Sequence, residues 1–221
     1  MSLNKLFLST VLLLQNFTPS SVGGGELPIK TINQQWENYN DALDAKKAIL
    51  EEQKIKEALI FQRKENLKIV RYKISKYLKQ TSKSLYWSTY TRKISHLESG
   101  GRYHVTNEFG YLGKYQISKH YINQFGYTGT KQEFLKDKLG QELVMANYTY
   151  NNLRYIKNFN LDQYIGKEIN GIKITLFGMM ASAHLVGIKS LTEYLDSNGE
   201  VVHKDGYDTS MEKYLKVFAQ S

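Results

Sequence analysis

Between Pro28 and Gly100 the chain contains neither proline nor glycine. Proline removes a helix hydrogen bond and clashes with the turn before it, and glycine loses the most backbone entropy on ordering. With both missing from so long a stretch, one long helix is the economical reading. Apolar residues recur at helical spacing in two blocks, Ile32, Trp36, Tyr39, Leu43 and then Leu67, Val70, Ile74, Leu78. Lys47 and Lys54 interrupt the seam between them, which argues against a sustained coiled coil. About 45 helical residues from Asn33 onward would extend on the order of 70 Å at 1.5 Å per residue. Such a helix serves as a spacer, an oligomerisation arm, or an element folded back on its own domain.

The remaining length, in a chain of 221 residues, suits one well-buried domain. The formal net charge is +9, and from Arg63 to Lys93 the only acid is Glu65. That asymmetry is either a solvated helix face or a contact for an anionic surface. The chain has no cysteine, which excludes disulfides, thiolate metal sites, cysteine nucleophiles and lipid attachment through cysteine. Seventeen tyrosines supply side chains that stack and hydrogen-bond at once, as sugars and nucleobases both require.

At the N-terminus, Lys5 precedes an apolar run from Leu6 to Leu14, then a polar stretch with Ser20, Ser21 and Gly23. This is the order of a secretory signal, so residues 1–23 are read as a signal peptide and the protein as periplasmic or secreted; a buried or interfacial N-terminal helix is the alternative. No later segment has the length or apolarity of a transmembrane span. Residues 24–80 form the basic helical arm, and residues 81–221 a domain of mainly α class with a minor β component.

Within that domain SLYWSTYTRKISHLE reads as a helix stopped by Gly100 and Gly101. A second helix is expected within Lys131 to Tyr155, and a short hairpin around Asn170-Gly171, a pair suited to a type I′ turn. TLFGMMASAHLVG predicts a buried helix closing at Gly187, and SMEKYLKVFA a last amphipathic one.

Glu98 stands in the last turn of the first of these helices, where the macrodipole favours cations. Burial against Trp87, Ile94 or Leu97 would raise its pKa and keep it protonated, as a general acid requires. The competing reading is a surface ion pair with Lys93 or Arg102.

Four short motifs in order resemble those of the lysozyme-like lytic transglycosylases that cleave bacterial peptidoglycan. They are Glu98-Ser99 within ESGG, Gly113-Lys114-Tyr115-Gln116-Ile117, Ala183-His184-Leu185-Val186-Gly187, and Tyr214. The resemblance covers about Thr91 to Phe218 and leaves out the arm. In the third motif His184 and Leu185 stand where many relatives have Tyr and Asn, as in a subgroup with Ala-His-Leu. The resemblance implies a lysozyme-like fold with Glu98 as the single catalytic acid and base. Ser99, Tyr115, Gln116, His184 and Tyr214 are its substrate-binding or orienting companions, and neither cofactor nor metal is required. For Ser99 a helix cap, for Tyr214 core packing and for His184 a hydrogen-bonded core position are the structural alternatives.

The implied reaction cleaves the bond between N-acetylmuramic acid and N-acetylglucosamine and closes a 1,6-anhydro ring. A hydrolysing lysozyme needs a second carboxylate, for which Glu108 and Asp137 are the candidates, both more economically read as surface charges. A non-catalytic wall-binding subunit is a further alternative, its basic arm docking on an envelope or secretion-machine partner. No nucleic-acid-binding motif is present, so no nucleic-acid partner is expected. Asp196-Ser197-Asn198-Gly199-Glu200 begins like a calcium loop, but its twelfth position is Tyr207, so a turn is expected. The five histidines show no metal-ligand spacing.

Overall fold

The computed structural model describes residues 29–81 and 87–219, with side chains from 34 to 78 and from 87 to 219. The expected signal peptide, residues 1–23, and the expected helix start at residues 84–86 lie outside the described residues. The long helix forms as its composition predicts: α1 spans Ile29–Thr81. By its contacts the chain divides into two units, Met1–Ile60 and Phe61–Ser221.

In the first unit α1 exposes its large apolar side chains, Trp36, Tyr39, Leu43 and Leu50 among them. Trp36 and Tyr39 meet edge to face at 6.1 Å. Lys47 pairs with Asp44 and Lys56 with Glu52 one turn apart, each pair adding only a few tenths of a kcal/mol to the helix.

The second unit starts twenty residues earlier than the boundary at 80/81 expected from composition. Leu67, Ile74 and Leu78 are buried in its core, so the last part of α1 is a core helix as well as a basic one. The core then runs through α2 (Trp87–Ser99), α3 (Lys119–Gln124), α4 (Lys131–Lys136) and α5 (Lys138–Asn158). After a 3₁₀ turn at Leu161–Tyr164 come β1 (Glu168–Ile169) and β2 (Ile172–Lys173), then α6 (Leu176–Val186), α7 (Ile188–Asp196) and α8 (Met211–Phe218). Among the described residues the unit is mainly helical, with one two-stranded antiparallel sheet.

Where one helix was expected within Lys131 to Tyr155 there are two. Asp137 leaves helical geometry to cap α5, its Oδ1 accepting from the Gly140 amide at 2.7 Å while Oδ2 pairs with Arg63 at 2.6 Å. The hairpin forms as its Asn-Gly pair predicts: Asn170 and Gly171 both have positive φ, 52° and 70°, and Ile169 faces Ile172. Asn198 and Gly199 also lie at positive φ, so the Asp196–Glu200 stretch is a turn. The Asn170 amide ties it down by donating to the Gly199 carbonyl and to Glu212.

The apolar helix α6 is buried along most of its length and packs against α8 and α7. Gly178 permits the approach, since a Cβ there would stand 3.3 Å from Leu215. Thr175 secures both ends of the pair: its hydroxyl accepts from the Gly178 amide and donates to the Phe218 carbonyl. Among the described residues no helix is long and apolar enough to cross a membrane.

Candidate active site

Gly100 and Gly101 end α2 at φ 65° and 80°, with the Gly100 amide donating back to the His96 carbonyl. No neighbouring atom would crowd a Cβ at either position, and neither residue lines the nearby cleft. Their role is the positive φ that stops the helix and leaves Glu98 in its last turn.

That turn opens into a cleft of about 570 Å³, lined by Glu98, Gln116, Tyr121, Tyr148, His184, Asp205, Lys213 and Tyr214 among others. The Glu98 side chain is only 13% exposed. Its Oε1 accepts from the Tyr214 hydroxyl at 2.9 Å and lies 3.7 Å from His184 Nε2. Burial raises the carboxyl's pKa above the ordinary range; His184 and the Tyr214 hydrogen bond pull it back, and the charge of Asp205 adds to the rise. Arg102, one of the two surface partners weighed for this carboxyl, instead donates its Nε to the Ser99 carbonyl at 2.7 Å. The Tyr214 phenol is pushed up by its own burial and then by Glu98, so it remains a donor at all ordinary pH.

His184 reaches the cleft from the last turn of α6, with a side chain only 4% exposed. Its Nε2 lies 2.8 Å from the Tyr115 carbonyl, and a carbonyl only accepts, so this nitrogen carries hydrogen. The ring also meets Tyr148 edge to face at 5.5 Å.

Ser99 and Tyr115 do not join Glu98 as expected. The Ser99 hydroxyl donates to the Lys114 carbonyl at 2.8 Å and accepts from the Arg102 amide at 3.0 Å, which makes it a clamp between the helix end and the following loop. Tyr115 is buried away from the cleft, its hydroxyl on Glu142 at 2.9 Å. The cause is the tight turn from Leu112 to Ile117, closed by reciprocal backbone hydrogen bonds. It drives Tyr115 inward and leaves Gln116 facing the cleft at φ 47°, with its amide donating to the Gly113 carbonyl at 2.7 Å. A non-glycine residue in that region is held there at a cost of order 1–3 kcal/mol, which the surrounding contacts offset.

Those contacts come from α5. The buried Gln141 accepts from the Lys114 amide at 2.8 Å and donates to the Tyr103 and Phe134 carbonyls. Gly113 is required beneath it, because a Cβ would overlap the Gln141 side chain. Glu142, one residue on, accepts from Tyr103, Lys114 and Tyr115. Together they fix the carbonyl that holds His184.

Sequence reasoning missed both α5 residues and also Asp205. Asp205 lines the cleft with Glu98, and its Oδ1 accepts from the Tyr207 and Thr209 amides at 2.9 and 2.8 Å. Only its place in an Asp-Gly turn signal was available beforehand. Of the carboxylates weighed from sequence, Asp137 is a helix cap in an ion pair and Glu108 does not line the cleft. The wall beyond His184 is aromatic: Tyr121, 39% exposed, leans on Tyr148 at 5.3 Å.

Comparison with known proteins adds no relative: the chain matches no protein-family model, and no curated protein or solved structure is significantly similar to it.

Proposed function

We propose that this protein is a peptidoglycan lytic transglycosylase, built on a lysozyme-like domain and acting in the periplasm or outside the cell, with Glu98 as its single general acid and base. What carries the reading is a carboxyl buried in the wall of a saccharide-sized cleft, with its pKa raised and its orientation held by a phenol that cannot take its proton. In the first step Glu98 gives its proton to the oxygen linking N-acetylmuramic acid to N-acetylglucosamine as the bond from that oxygen to the muramyl C1 breaks. In the second, the ionised Glu98 takes the proton of the muramyl C6 hydroxyl while that oxygen attacks C1, closing the anhydro ring without water. Tyr214 donates to the carboxylate between the steps, the aromatic wall of Tyr121 and Tyr148 offers faces for sugar rings, and Gln116 offers an amide.

One observation favours a second reading, hydrolysis by a lysozyme-type mechanism: Asp205 places another carboxylate in the same cleft. The test is digestion of purified sacculi followed by mass spectrometry of the released muropeptides. Anhydro ends are expected from the wild type, reducing ends with one added water would assign hydrolysis, and Glu98→Gln should release nothing while keeping its fold. Wild-type release by that variant would sink both enzyme readings as assigned to Glu98, whereas wild-type protein that binds sacculi and releases nothing would assign a wall-binding subunit.

A further inference from the structure

The proposed catalysis leaves the outward side of α1 in the second unit unexplained. From Phe61 to Lys76 the helix carries six basic residues and one acid. Its inward face is set by the core: Leu67, Ile74 and Leu78 are buried, and Val70 packs against them. At about 100° per residue, Phe61, Lys64, Lys68, Ile69, Tyr72 and Lys76 fall within an arc of roughly 140° on the opposite side. Phe61 is 67% exposed, Ile69 51% and Tyr72 68%. A helix that has already buried one apolar face has no folding reason to carry three more large apolar side chains on the other.

Some of the basic residues are used internally. Arg63 pairs with Asp137, Arg71 reaches Glu142 at 3.5 Å, and Lys73 lies over the Tyr150 ring. Lys64, Lys68 and Lys76 remain on the outward arc, with Glu65 bridging to Lys68 at 2.6 Å. Three lysines and three large apolar groups therefore share one side of about 22 Å of helix.

We infer that this face binds an anionic lipid bilayer. Lysine ammonium groups at the headgroup level meet lipid phosphates, Tyr72 suits the interface, and Phe61 and Ile69 have an apolar layer to enter. A soluble polyanion would satisfy the lysines equally but offers nothing to an aliphatic side chain, so Ile69 favours lipid. Binding of this kind is peripheral, and it holds whether or not the cleft is catalytic.

The experiment is co-sedimentation of the full chain with vesicles of equal parts phosphatidylglycerol and phosphatidylcholine, beside phosphatidylcholine alone. Wild-type protein should pellet with the mixed vesicles only. Each lysine near an anionic surface is worth about fivefold in affinity, so K64Q/K68Q/K76Q should bind roughly a hundredfold more weakly. F61S/I69S/Y72S, changed only at exposed positions and checked for wild-type circular dichroism, should lose at least about tenfold. The inference is overturned if the wild type does not pellet or if the apolar variant pellets like the wild type. Duplex DNA bound as tightly as the vesicles and indifferent to the apolar substitutions would also overturn it, assigning the face to polyanions.

Discussion

Replacing Tyr214 by Phe removes one atom, the hydroxyl oxygen 2.9 Å from Glu98 Oε1, and leaves the ring that packs in the core. Because the phenol donates, it favours the ionised carboxylate over the neutral acid, and its loss should raise a pKa that burial already raises. A hydrogen bond to a charged group contributes about 1.5–3 kcal/mol, while the protonated acid can use part of the same contact, leaving a differential of about 1.5 kcal/mol. At about 1.4 kcal/mol per pH unit, the Glu98 pKa should rise by about one unit in Tyr214→Phe. The assay is carbon-detected NMR titration of side-chain-labelled glutamate, with the Glu98 resonance assigned by its disappearance in Glu98→Gln. If the enzyme reading holds, the alkaline limb of the pH–rate profile should move up by the same amount. An unchanged or lowered Glu98 pKa in a folded Tyr214→Phe protein would refute the electrostatic role assigned to the phenol.

The burial of Glu98 also makes a stability prediction. Its folded pKa lies above the unfolded value, so below the unfolded pKa both states are protonated and the burial of this group carries no ionisation penalty; as pH rises through the folded pKa the buried carboxylate becomes a full penalty. Glu98→Gln should therefore raise Tm relative to wild type at pH 8 and not at pH 4, and thermal melts showing equal differences at both pH values would contradict it. Gly113→Ala forces a methyl group into Gln141 at φ 73° and should cost about 2–4 kcal/mol, a fall in Tm of roughly 5–15 °C in calorimetry. A wild-type melting curve there would mean that Gln141 is not the clamp on the 103–116 loop.

Much of the fold could be read before any coordinates. The long helix followed from missing breakers, the hairpin from Asn170-Gly171, the buried α6 from an unbroken apolar run, and the stop after Glu98 from paired glycines. These are local rules, in which a residue's own backbone preference or its neighbours one turn away decide the outcome. The two-helix split at Asp137 was less accessible, because a cap and an ion pair to Arg63 outweighed an otherwise helical pattern. The boundary at Phe61 escaped for a related reason: charge composition marked the segment as an arm, whereas Leu67, Ile74 and Leu78 tie it to the core.

The site divides along the same line. Sequence alone determined that a carboxylate would stand at a helix stop, and by resemblance it grouped Gln116, His184 and Tyr214 with it. Only tertiary structure decided that Tyr214 donates to Glu98, that His184 is held by the Tyr115 carbonyl, that Ser99 and Tyr115 turn away, and that Asp205 shares the cleft. The physical reason is that a pKa and a hydrogen bond depend on what lies within a few ångströms in space. Residues 98, 184, 205 and 214 become neighbours only once α6 and α8 have packed and the loop after α2 has been clamped by Gln141 and Glu142.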